Sequence, residues 1–379
     1  MRMVSFKSVS FFILCFCLSC TNTYYTMGDT LTLVHPVSEK VYNLDEVTVR
    51  LTNQIQYFKY LDIDVLALYS PFDNSIRLFN YQTKEEILKI PLGDISRGKG
   101  IQGFTFAEGV VYLYNYTDHV VIKADLNESL PPSETNLSKN LIQRKDFFPP
   151  IPYIGTCAPL IVYGQYIILS GFVAGEDWGE NPHNRPSIVV IDESNGNVNN
   201  AVNYPDLYAS GNWGGGFCYR RPYCTMGPNG KVIISFPAFD SLVEYNIITR
   251  DVRSYPAKTS QISYIKPFSR RKGVLPSSTA EIEWYMKTPS YENIVYNPYR
   301  MVYYRFFRLP DVDYSISSYG NHKPIGIIIL DEKMEAVREV ILPDNNYNLN
   351  NCLVTEDGLL IQKITDSEDE LAFDIFQLS

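Results

Sequence analysis

The stretch GNWGGGFCYRRPYC, residues 211–224, places four glycines, Trp213, Cys218, Arg220, Arg221, Tyr223 and Cys224 within fourteen positions. A phosphate cradle would need a Gly-rich strand-to-helix junction with GKS or GKT, or a dinucleotide pattern with a downstream acidic residue, and neither surrounds these glycines. The Cys-x5-Cys spacing lacks the CxxC or histidine pairs of a zinc site. Cys218 and Cys224 are close enough to pair as a disulfide within the loop, with free buried thiols as the alternative. Arginine among aromatic rings has a different use. Guanidinium forks bind carboxylates, and rings cover the apolar faces of sugars and peptides.

Residues of the same kind recur in two other long segments, SGFVAGEDWGENPHNRP (170–186) and RLPDVDYSISSYGNHKP (308–324). With the first stretch, and with Arg305 just ahead of the last segment, they assemble a candidate ligand-binding face of Trp178, His183, Arg185, Trp213, Arg220, Arg221, Tyr223, Arg305 and His322. Carboxylates flank His183 and His322, but no HExxH-like spacing marks a metal, and Asp-Val-Asp at 311–313 is too short for a calcium loop. No Gly-x-Ser-x-Gly elbow is present. No catalytic residue, metal or cofactor is assigned. A net charge of −9 argues against nucleic acid as the partner, because phosphate backbones call for a basic face.

The elements that must position these loops are strands. The 29 tyrosines and 20 phenylalanines, with Gly and Pro spread along the chain, favour strands separated by turns. One unit recurs: an apolar strand, then a strand ending in Asp or Asn, a short turn and a further strand. Asn80, Asp125, Asp192, Asn246 and Asp331 open these turns, where their side chains can bond backbone groups ahead of them. Six such units of about four strands predict an all-β, six-bladed β-propeller. The last unit, ending in LAFDIFQL, has no following partner. An N-terminal strand, either TLTLV at 30–34 or one between Lys40 and Leu51, is expected to close the ring and remove the open edge. In a propeller the B–C and D–A connections share one face, so all the long loops fall there, and TAEIEWYMK at 279–287 predicts a short helix among them.

The first residues carry another signal. Arg2 and Lys7 precede an apolar run from Val9 to Leu18, too short to span a bilayer but suited to a secretory signal. It ends on Ser19-Cys20, which resembles a bacterial lipoprotein signal with Cys20 as the lipidated residue. The expected organisation is a signal peptide at 1–19, a tether at 20–28 and one propeller domain at 29–379. Acyl chains would hold that domain on the bacterial outer membrane, with the side of the membrane left open.

The segment IQYFKYLDIDVLALYSPFDNSIRLFNYQTKEEILKI, taken with this signal, resembles an uncharacterised family of Bacteroidota lipoproteins with six-bladed, TolB-like or NHL-like propellers. The resemblance implies fold and location and transfers no catalytic motif. Three roles remain: a binding module for protein, peptide or glycan, an envelope lyase or hydrolase acting on a sugar polymer, or a scaffold whose loops fill the channel.

Overall fold

The computed structural model describes residues 35–46, 48, 52–96, 98, 100–126, 131–142, 147–173, 184–215, 218–269, 276–315 and 323–377. Six antiparallel sheets follow one another along the chain. Each contributes strands A to D, from the channel outward. In blade one these are Ile55–Tyr60, Ile63–Ser70, Ser75–Asn80 and Glu86–Pro91. The protein is a six-bladed β-propeller, as the repeat pattern predicts.

The B and C strands are buried along almost their whole length because each blade is covered on both faces by its neighbours. Residues 65–69 and 188–191 within these strands accordingly read as continuous apolar runs rather than alternating ones. The D strands lie outermost; that of blade four, Val252–Pro256, is largely exposed. Of the five Asp and Asn residues expected to open the C–D turns, Asn80, Asp192, Asn246 and Asp331 do so, and the turn after Asp125 lies outside the described residues. Asn80 Oδ1 accepts from the amides of Gln82 and Thr83 at 2.8 and 2.9 Å, and Asn246 Oδ1 from those of Ile248 and Thr249 at 2.9 Å each. Asp331 does the same for Lys333 and Glu335.

Ring closure uses the strand Ser38–Asn43, which pairs antiparallel with Glu370–Phe376 as the outer strand of blade six. Of the two expected segments, the second overlaps it only at Lys40–Asn43, and 30–34 lies outside the described residues. Tyr42 from this strand enters a cluster with Leu66, Leu68, Phe79, Leu360 and Phe373 that joins blade six to blade one. Its ring meets those of Phe79 and Phe373 edge-on.

Blade three departs from the pattern. Its inner strand is split into Ile151–Pro152 and Ile161–Tyr163, both paired with Tyr166–Phe172. The eight residues between them form a strap that reaches blade one. The Thr156 amide and hydroxyl donate to the Asn53 carbonyl at 2.8 and 3.1 Å, and the Ile55 amide donates to Thr156 Oγ1 at 2.8 Å. On blade four the Cys224 amide donates to the Cys157 carbonyl. Gly103 makes the crossing possible, since a Cβ there would collide with Ile154 of the strap.

Candidate functional site

The B–C/D–A face holds a cavity of about 480 Å³ at the mouth of the channel. Blades four, five, six and one build it. Arg221 and Tyr223 enter from the connection before blade four, Tyr285 from the helix Ser278–Met286, Glu292 and Arg308 from blade five, and Tyr347 to Asn350 from blade six. A second cavity of about 260 Å³ runs down the channel and is lined by Gly155, Thr156 and Pro159 of the strap with Thr225, Val295 and Leu353. The two have no lining residue in common.

Two bulges shape the upper cavity. The register of the inner strand of blade five shifts between Tyr291 and Ile294, and that of blade six between Asn348 and Cys352. A bulge re-aims side chains that strict alternation would send elsewhere. Here it places Glu292 and Asn350 on the cavity wall.

Glu292 is buried and accepts three hydroxyl hydrogen bonds: from Tyr223 at 2.8 Å, Tyr285 at 2.9 Å and Ser290 at 2.7 Å. Burial first, then the Glu292 charge, raises the Tyr223 and Tyr285 phenols well above the ordinary tyrosine value. They are donors held protonated. Behind them the fully buried Lys323 ammonium donates to the carbonyls of Tyr285 and Thr288 at 2.9 and 2.7 Å. Burial pulls its pKa down to about 7 against the opposing pull of Glu292, and Arg308 adds to the lowering. Burial pushes the Cys218 thiol up to about 11, which removes the thiolate character a nucleophile needs.

Two guanidiniums complete the wall. Arg221 Nη2 donates to Asn350 Oδ1 at 3.2 Å, and its plane lies 4.1 Å from the Tyr153 ring centroid. Its Nε is enclosed without a hydrogen-bond partner. Arg308 is buried and donates to the carbonyls of Lys323 and Tyr347 at 3.2 Å each. Among the described residues neither guanidinium meets a carboxylate at ion-pair distance. Buried charge is ordinarily paired; the Glu292 carboxylate on the same wall offsets at most one of the two positive charges, which leaves an excess of positive charge among the described residues.

The residues singled out in the sequence take different places. Arg221 and Tyr223 meet in the cavity. Arg305 is fully buried and rivets blade five to blade four through Ser235 Oγ and the carbonyls of Ala257 and Phe239. Arg185 is buried over the Phe148 ring, and Arg220 is buried with its pKa pulled down to about 10 by desolvation. Trp213 packs between Tyr208 and Tyr219, donates to the Leu207 carbonyl, and edges a separate cavity of about 310 Å³. Cys218 and Cys224 are free thiols, as are Cys157 and Cys352. Trp178, His183, His322 and Cys20 lie outside the described residues. Two glycines of the opening stretch serve close packing: a Cβ on Gly211 would strike Pro267, and Gly214 has φ +77° with a Cβ that would strike the Glu281 carboxylate, which accepts from the Gly215 amide at 3.3 Å.

Glu292, Tyr285, Asn350 and Lys323 were missed by sequence reasoning. Two signals pointed towards them. SYENIVYN carries a carboxylate inside a strand, and NYNLNNCL crowds asparagines into one, where they are poor strand formers.

Residues 30–340 match the family model described as "Domain of unknown function (DUF4221)". A crystal structure of a DUF4221 member from Bacteroides vulgatus superposes with a TM-score of 0.71 at 19% identity, covering 91% of this chain and 97% of that one. A putative exported protein from Bacteroides fragilis gives 0.48 at 10% identity, covering 90% and 95%. Virginiamycin B lyase from Staphylococcus aureus gives 0.46 at 12%, covering 90% and 99%. No curated protein matches. With most of its length matched by the family model and its propeller shared with a solved member, the chain belongs to the DUF4221 family.

Proposed function

We propose that the protein is a lipid-anchored binding module of the cell envelope that holds a small polar ligand in the cavity at its channel mouth. The observation that carries this reading is the pair of guanidiniums, Arg221 and Arg308, lining one cavity without a carboxylate at ion-pair distance among the described residues. Binding is favoured over turnover by the state of the surrounding groups. Tyr223 and Tyr285 are locked as donors to Glu292, and the Cys218 thiol is raised. An envelope lyase or hydrolase would need an accessible base near its working pH.

The anchor rests on the N-terminal signal ending at Cys20. Ser38 pairs with Ile375 at the far end of its strand, so the strand Ser38–Asn43 starts on the side of the A–B and C–D turns. The cavity opens on the opposite face. The test is thermal unfolding against a panel of sugars, acidic sugars, peptides and divalent metals. A ligand of the folded state raises the midpoint by mass action, by about 2.7 kcal/mol of stability at a hundredfold excess over Kd. A rise that disappears in Arg221→Ala supports the reading. A flat response across the panel counts against it.

A further inference from the structure

We infer that the ligand is a sugar acid, with its carboxylate set between Arg221 and Arg308 and its hydroxyls on the amides and Glu292. This rests on the binding reading above and names the ligand's chemistry. Three features select it. Among the described residues the two guanidiniums have no carboxylate at ion-pair distance, and the enclosed Nε of Arg221 has no acceptor. A planar fork matches a carboxylate in two parallel bonds, which a lone ammonium does not. Asn53, Asn348 and Asn350 line the same cavity. An amide both donates and accepts, which suits a hydroxyl that does the same. Finally, Glu292 spends three of roughly four lone-pair positions on Tyr223, Tyr285 and Ser290, leaving room for one further donor such as a ligand hydroxyl.

A peptide C-terminus would share the carboxylate but would also bring a side chain needing an apolar recess. The apolar lining is made of Leu349, Ile364, Cys218 and the rings of Tyr223, Tyr285 and Tyr347, and flat rings of this kind suit the apolar face of a sugar better than a branched side chain. The observations therefore favour the sugar acid, and the peptide becomes an outcome of the test.

The experiment is calorimetric titration of the purified full-length protein with galacturonate and glucuronate, with galactose and glucose, and with triglycine carrying a free C-terminus. The uronates are expected to bind at least tenfold more tightly than the neutral sugars and the peptide. Arg221→Lys keeps the charge and loses the fork, and should weaken uronate binding about 10- to 100-fold. Asn350→Asp is nearly isosteric and places a carboxylate 3.2 Å from Arg221 Nη2. It should abolish uronate binding without lowering the midpoint of the free protein, so loss of binding cannot be ascribed to unfolding. Equal affinity for galactose and galacturonate would overturn the acid assignment and leave the binding reading standing. Tighter binding of triglycine would overturn it in favour of a peptide ligand. No binding by any of the five would overturn the assignment together with the binding reading.

Discussion

Lys323 is the residue whose environment is most at odds with its chemistry. Its amine is enclosed among carbonyls and beside Arg308, and burial brings its pKa to about 7 from an ordinary value near 10.5. Below pH 7 it is protonated in both the folded and unfolded chain and contributes no slope. Between about 7 and 10.5 the unfolded chain binds more protons, so stability rises with pH, by up to about 1.4 kcal/mol per pH unit. Denaturant unfolding at pH 7 and pH 9 should show this gain in the wild-type chain and a smaller one in Lys323→Met; equal gains in both would rule it out. Two tyrosines make a complementary case. Among the described residues the hydroxyls of Tyr42 and Tyr245 are buried without hydrogen-bond partners. Tyr42→Phe and Tyr245→Phe should each stabilise by about 1 kcal/mol, because an unsatisfied hydroxyl is removed with the ring kept in place. A loss of stability in both would show that the hydroxyls do find partners in solution. At this scale the sequence was legible only where a residue type announced itself. Arg221 and Tyr223 stood out among loop glycines, whereas Glu292 was hidden inside an apolar strand.

At the scale of elements, strap and bulges explain why the site was harder to read than the fold. The B and C strands carry their positions in their patterning, and the turn-opening Asn80, Asn246 and Asp331 mark where each C strand stops. The strap and its flanking strand pieces, IPYIGTCAPLIVY, have proline and glycine where an inner strand should run, so nothing in the periodicity places Thr156 against blade one. Bulges defeat alternation in the same way: one inserted residue changes which side chain faces the channel. The strap's role can be measured. Thr156→Val keeps the shape and removes the hydroxyl shared by Asn53 and Ile55. It should cost about 1–3 kcal/mol, seen as a lower urea midpoint with unchanged slope. The closing strand gives a larger effect. Tyr42→Ala empties a fully buried position between blades six and one and should cost about 3–5 kcal/mol. A cost below 1 kcal/mol would mean the ring stays closed without this contact.

For the molecule as a whole, the propeller sets a cavity of rings, amides and charged groups at one face and receives the strand Ser38–Asn43 from the other. That division suits a module tethered behind and binding in front. Fatty-acid labelling of cells producing the protein should mark it, and Cys20→Ala should lose both the label and the membrane fraction; a variant that keeps its label would remove the anchor from the account. The central claim concerns the cavity, and a crystal structure of the protein soaked with galacturonate tests it most directly. The account predicts density for one carboxylate between Arg221 and Arg308, with a hydroxyl reaching Glu292 or Asn350. An empty upper cavity, or sugar bound instead at the separate Trp213 cavity, would contradict it.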